Sequence, residues 1–267
     1  MAALGLESPP RPRVVVLGAS NVSRGLARLV AVTEARAAGA DLFVAAGHGR
    51  SYGATSRVWM RRLPSILRCG LWRALDRDDA VDGEGMKQPL HALVTDVGND
   101  LLYGFPVEQV AAWVGESVQR LAQRKARIAI TRLPLASIDG VGRIRYRAMR
   151  TLFVPGCRLT LVELKAAAAE LNEALMGIAA AYGAEVIDQP GAWYGLDAIH
   201  VRRRNLDTLW KQVGDAWGLA PAPVRTSLLQ WAAVGVQAAE VRSLAGVMRF
   251  RPQPVLRMPH NGTLSLY

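Results

Sequence analysis

The chain has 267 residues, 51% hydrophobic and 21% charged, a globular composition that excludes a disordered or collagen-like protein. Its length is enough for folding to bury roughly 70–75% of the unfolded chain's surface, so no disulfide or metal staple is needed. A net charge of +11, carried almost wholly by arginine, favours polyanions, acidic membrane surfaces or anionic substrates without choosing among them.

Apolar runs alternate with longer helical patterns, the signature of an α/β sheet with crossover helices. The first strand is expected at Arg13 to Leu17, ending at Gly18-Ala19-Ser20-Asn21, with a helix to about Ala37. A second strand reads Asp41 to Ala46, and a Gly-rich loop with His48, Gly49 and Gly53 follows. The pattern predicts a helix from Ser56 to about Leu75, then an acidic loop over 76–89. Strands three, four and five are expected at Leu90 to Val97, Arg127 to Thr131 and Ala184 to Ile187. A long helix, Glu163 to Tyr182, precedes the fifth. Each strand is short and nearly continuous in apolar residues, as a sheet buried on both faces requires.

The texture changes after Ala220. Pro221-Ala222-Pro223 reads as a linker, dividing the chain into a domain over 1–220 and a C-terminal helix and tail over 221–267. The helix is expected near Arg225 to Leu244, with Leu228, Leu229, Trp231, Val234 and Val236 packed on the domain. Membrane-surface docking or self-association is its alternative use. The Pro-containing tail, Arg249 to Tyr267, suits a packed hairpin or a partner-binding arm.

In an open parallel sheet, ligands bind at the carboxyl ends of the strands. Those ends deliver Ser20, the Gly47–Gly53 loop, Gly98-Asn99-Asp100 and the segment Gly191 to His200. Together they hold a hydroxyl, backbone amides, a side-chain amide, a carboxylate and an imidazole, the set that acyl transfer uses. A serine needs a base within hydrogen-bond reach, and His200 qualifies. Asp197, three residues earlier, is placed to orient it. Ser20 N–H, a glycine amide of the second loop and the Asn99 side chain are candidate oxyanion donors.

Four segments in order, VVVLGASN, GRSYGATS, VTDVGND and LDAIH, resemble the four blocks of the SGNH (GDSL-like) hydrolase superfamily. The resemblance covers roughly residues 13–216. It implies a three-layer α/β/α sandwich with a flavodoxin-like parallel sheet of about five strands, and hydrolysis of an ester without a cofactor. Carried over by position, it makes Ser20 the nucleophile, Asp197 and His200 the acid–base pair, and Ser20, Gly53 and Asn99 the oxyanion hole. Block one departs from the usual Gly-Asp-Ser, since Ala19 replaces the acid, and Val97 stands where block three has a glycine.

Other readings compete with this one. A nucleotide-binding oxidoreductase is rejected, because Gly18 and Gly25 are seven apart with no glycine between them and no tyrosine stands four before a lysine. A catalytically inactive scaffold holding an anionic partner on its arginine surface is the alternative. The arginines near the expected site, Arg50 and Arg145 among them, suggest an ester substrate with an acidic group, with Asp100 and His48 as further substrate contacts. No specific nucleic-acid pattern is present. The four histidines lack metal-ligand spacing. Cys69 and Cys157 form no zinc or CxxC pattern, and Met1 to Arg13 lacks a signal-peptide core, so a cytoplasmic location is expected.

Overall fold

Strand β1 (Arg13–Leu17) is apolar at four consecutive positions because both its faces are covered. Val14 and Val16 enter one core with Leu29, Val30, Leu209 and Trp210. Val15 and Leu17 enter the other with Leu75, Val110, Val114 and Leu171. The sheet is therefore the middle of three layers, and the period-two alternation of side chains fills both interfaces.

The computed structural model describes residues 11–81, 89–154, 156–195, 197–225 and 227–267. After β1 come α1 (Ser20–Arg36), β2 (Asp41–Ala45), β3 (Ser56–Val58), β4 (Arg61–Leu63), α2 (Leu71–Val81) and β5 (Leu90–Val94). The middle of the chain forms α3 (Asn99–Leu102), α4 (Val107–Gln123), β6 (Arg127–Thr131), α5 (Leu135–Asp139) and α6 (Arg143–Phe153). Then follow α7 (Leu161–Tyr182), β7 (Glu185–Ile187), α8 (Leu206–Ala216) and α9 (Leu228–Gly235). Four strands complete the order: β8 (Val241–Leu244), β9 (Val247–Phe250), β10 (Leu256–Arg257) and β11 (Thr263–Leu266). Helices α1 and α8 cover one face of the sheet, and α2, α4 and α7 the other.

The central sheet runs β10-β11-β2-β1-β5-β6-β7. Its five expected strands are parallel and occupy the flavodoxin-like order. Two more come from the tail. Strand β11 pairs parallel to β2, Thr263 opposite Asp41, and β10 closes the edge antiparallel to it. Residues beyond 220 thus share the core of the sheet. The tail is part of the sandwich itself, and no separate arm.

Three sequence expectations are corrected. The predicted helix over 56–75 is instead a β3–β4 hairpin followed by a short turn and α2, which starts at Leu71. The hairpin lies in a second, four-stranded antiparallel sheet ordered β3-β4-β8-β9. The predicted helix near 225–244 is cut to α9, where only Val234 of the expected apolar face is buried. The acidic loop begins later than expected, because α2 continues to Val81; residues 82–88, like residues 1–10 at the expected signal-free start, lie outside the described residues. Helix α7 opens two residues before its predicted start, where Thr160 and Glu163 form a reciprocal capping box. Among the described residues, no helix is long and apolar enough to cross a membrane.

Candidate active site

The carboxyl end of β1 feeds directly into α1, so Ser20 sits in the first turn of a helix, where backbone N–H groups lack partners within the helix. Ala19 offers no side-chain cap. The cap is supplied from the next strand. Asp96, after β5, accepts from Ala19 N–H and Asn21 N–H through one oxygen, both at 2.9 Å, and more weakly from Val22 N–H at 3.4 Å. Its carboxylate thus takes the amides on either side of Ser20, and the Ser20 N–H is not among its donors. A negative group at a helix start also meets the positive end of the helix dipole. A carboxylate from the loop after β5 thus caps the helix start where position 19 has none.

His200 comes from the loop after β7. Its Nε2 lies 2.8 Å from the Ser20 Oγ, and its Nδ1 contacts Asp197 Oδ2. The other Asp197 oxygen accepts from Ile199 N–H at 3.1 Å and His200 N–H at 3.3 Å. Burial alone would raise the Asp197 carboxyl. The His200 ring and these two amides outweigh it and hold the pKa below the ordinary carboxylate value. Asp197 therefore remains an anion at neutral pH.

Asn21 links the two halves of this arrangement. Its Nδ2 donates to Asp96 Oδ1 at 2.8 Å and to the Ile199 carbonyl at 3.1 Å, and its Oδ1 accepts from Val201 N–H at 2.9 Å. The residue after the serine thus clamps the backbone on both sides of His200. Neither Asn21 nor Asp96 is singled out by sequence reasoning, although both lie inside the quoted blocks. An amide or carboxylate beside a strand-to-helix turn was the available signal.

The remaining expected residues divide. Asn99 opens α3, and its Nδ2 reaches the Arg50 carbonyl at 3.4 Å, so it meets the loop after β2. Gly49 of that loop has φ +64°, a left-handed conformation suited to glycine, and its carbonyl accepts from the Tyr103 hydroxyl at 2.6 Å. Gly53 packs against an aromatic ring. A Cβ there would fall 2.0 Å from the Trp113 ring, so glycine at 53 lets that indole pack. His48 is exposed; desolvation first, then the positive charge of Arg61 and the nearness of His200, lower its pKa. Its place is at the site's margin.

Asp100 and Arg50, expected as substrate contacts, are buried and bonded to backbone. Asp100 is fully buried and accepts from Tyr52 N–H at 2.9 Å, tying the loop after β2 to α3. Burial raises its pKa, partly offset by hydrogen bonds from Ser51 and the Tyr52 amide. Arg50 is also fully buried, its guanidinium donating to the carbonyl oxygens of Pro64 and Ala46 and to the backbone oxygen of Tyr267. Arg145 Nη2 donates to the Gly195 carbonyl at 2.6 Å, steadying the loop that leads to Asp197. These two arginines hold backbone. Among the described residues, no group of three or more His, Cys, Asp or Glu side chains converges as metal ligands would.

Beside Ser20 opens a cavity of about 110 Å³. It is lined by Ser20, Gly98 and Asn99 and by aliphatic side chains including Leu133, Ile138, Val141 and Leu164. They come from the loop after β6, from α5 and α7, and from the α5–α6 connection. Ala168 of α7, almost fully buried, also lines it.

No family model and no curated protein matches the sequence. Solved structures do resemble it. Est24, a carbohydrate acetylesterase from Sinorhizobium meliloti, superposes with a TM-score of 0.51 at 12% identity, covering 76% of this chain and 97% of that one. A proposed acylhydrolase from Bacteroides fragilis gives 0.50 at 13% identity, over 78% and 90%. A member of the lipolytic G-D-S-L family from Veillonella parvula gives 0.46 at 16%, over 76% and 95%. The chain has the fold of the SGNH (GDSL-like) hydrolases.

Proposed function

We propose that the protein is a serine hydrolase that cleaves carboxylic esters. The observation that carries this is the chain of contacts from Ser20 Oγ through the His200 ring to the Asp197 carboxylate. In this reading His200 Nε2 takes the Ser20 proton as the oxygen attacks the ester carbonyl. Asp197 fixes the tautomer and stabilises the imidazolium. Collapse of the tetrahedral intermediate expels the alcohol, protonated by His200, and leaves an acyl-enzyme. Water, deprotonated by His200, then attacks the acyl carbonyl, and Ser20 leaves with the proton restored.

The oxyanion is assigned to Ser20 N–H, Asn99 Nδ2 and an amide of the loop after β2. Gly49 replaces Gly53 as the preferred glycine, because Asn99 reaches the Arg50 carbonyl, one residue on from Gly49, and Gly53 packs on Trp113. Removing one such donor costs about 10²–10³ in rate.

The test is labelling of the purified protein by a fluorophosphonate, with the adduct located by peptide mass spectrometry. Labelling at Ser20 that disappears in Ser20→Ala is expected. No labelling at any pH would overturn the assignment and return the arginine-rich scaffold as the better account.

The aliphatic cavity favours an ester with an apolar acyl chain over an acetyl ester, since an acetyl group would leave those walls unfilled. Ala168→Leu, which adds methylenes to the cavity wall, is expected to shift the optimum of a p-nitrophenyl ester series to shorter chains. Acetate turnover should change by less than about twofold, because overpacking acts only where the chain must fit. An unchanged chain-length profile would place the acyl group elsewhere.

A further inference from the structure

The small sheet exposes apolar side chains that no packing requires. Its hairpins turn at Trp59-Met60 and Ala245-Gly246, and Arg61 pairs opposite Leu244, so both tips lie at the same end. The tips touch: Ala245 N–H donates to the Met60 carbonyl at 2.9 Å. Trp59 is 86% exposed, Phe250 70%, Met248 66% and Met60 64%, with Val247 exposed beside them. Large apolar groups gathered this way on a soluble surface mark an interaction site.

The charge around them has one sign. Residues 56–63 and 241–250 contain Arg57, Arg61, Arg62, Arg242 and Arg249 and no acidic residue. Among the described residues, these arginines make no salt bridge; Arg57 and Arg61 reach only the carbonyls of Trp59 and His48. Protruding aromatic and thioether side chains among arginines suit a bilayer interface. The apolar groups enter the headgroup–acyl boundary, and the guanidinium groups meet lipid phosphates. A second copy of this chain would set the same five arginines against the first, so charge complementarity selects an anionic partner and opposes self-association.

We propose that this sheet docks the protein onto anionic lipid surfaces, with the Trp59-Met60 and Ala245-Gly246 tips inserted. The surface adjoins the candidate active site, since β3 follows the loop that carries His48 and Arg61 contacts the His48 carbonyl. The inference stands on the surface alone and does not depend on hydrolysis.

Co-sedimentation of the full chain with vesicles tests it, using phosphatidylcholine alone or with about 30% phosphatidylglycerol. Binding only to the anionic vesicles is expected. Trp59→Ser/Met60→Ser, both at exposed positions of the same tip, should weaken it at least about tenfold while circular dichroism and turnover of a water-soluble ester stay unchanged. No binding to anionic vesicles overturns the proposal. So does binding that the double variant retains within about twofold, which would be net-charge attraction alone. A concentration-dependent dimer in sedimentation velocity, lost in the double variant, overturns it in favour of a second copy.

Discussion

Ser20→Ala and His200→Ala are each expected to lower kcat for a preferred ester by about 10⁴–10⁶-fold, with the double variant no slower than the worse single one. The non-additivity is the informative part. If Ser20 Oγ and His200 Nε2, 2.8 Å apart, act as one unit, removing either abolishes the same step. KM should move little, since most of the lining of the cavity proposed to hold the acyl chain comes from other residues. Steady-state kinetics of the three variants decide it. Multiplying losses would mean that the two side chains act in separate steps, and wild-type kcat in Ser20→Ala would remove the nucleophile altogether.

Asp96→Ala is expected to be the most damaging change outside the Ser20–His200–Asp197 chain. It removes the acceptor for three amides at the start of α1 and for the Asn21 side chain. Hydrogen bonds to an ionised acceptor contribute about 1.5–3 kcal/mol each at most, and shared ones less, so a loss of about 2–4 kcal/mol is expected from urea unfolding. Asp96 has φ +58°, which alanine tolerates worse than aspartate. Asp96→Gly separates the two effects, because glycine accepts that backbone but supplies no carboxylate. If Asp96→Gly matched the wild type, the carboxylate would contribute nothing. The activity of Asp96→Gly should also fall, since Asn21 would lose one of the anchors by which it holds the His200 loop.

The sandwich was legible because its parallel strands are buried on both faces and so read as unbroken apolar runs. Ser20, Asn99, Asp197 and His200 were legible because strand ends in such a sheet converge. The antiparallel strands were not. Residues 56–63 carry arginine at three positions, Arg57 and Arg61 with helical spacing, and the turn at Trp59-Met60 lacks the glycine or asparagine that marks a hairpin. Strand β11 is four residues long and lies in a proline-containing tail, so only its partner β2 reveals it. The burial of Asp100 and Arg50 was hidden for a common reason. Charged residues in a loop are usually exposed, and here both are fully buried as ties between segments.

The pairing of β11 with β2 has a consequence for how the chain folds. Thr263 and Asp41, joined by a 2.6 Å hydrogen bond, are 222 residues apart in sequence. During synthesis β2 therefore emerges long before the strand that covers its edge, and its unpaired backbone groups form a template for other chains. The buried Arg50 guanidinium waits for the same event, since the backbone oxygen of Tyr267 arrives directly after β11. Contacts of such long range slow folding and prolong this vulnerable interval. Synthesis of β11, rather than formation of the first βαβ unit, becomes the step at which aggregation and maturation compete.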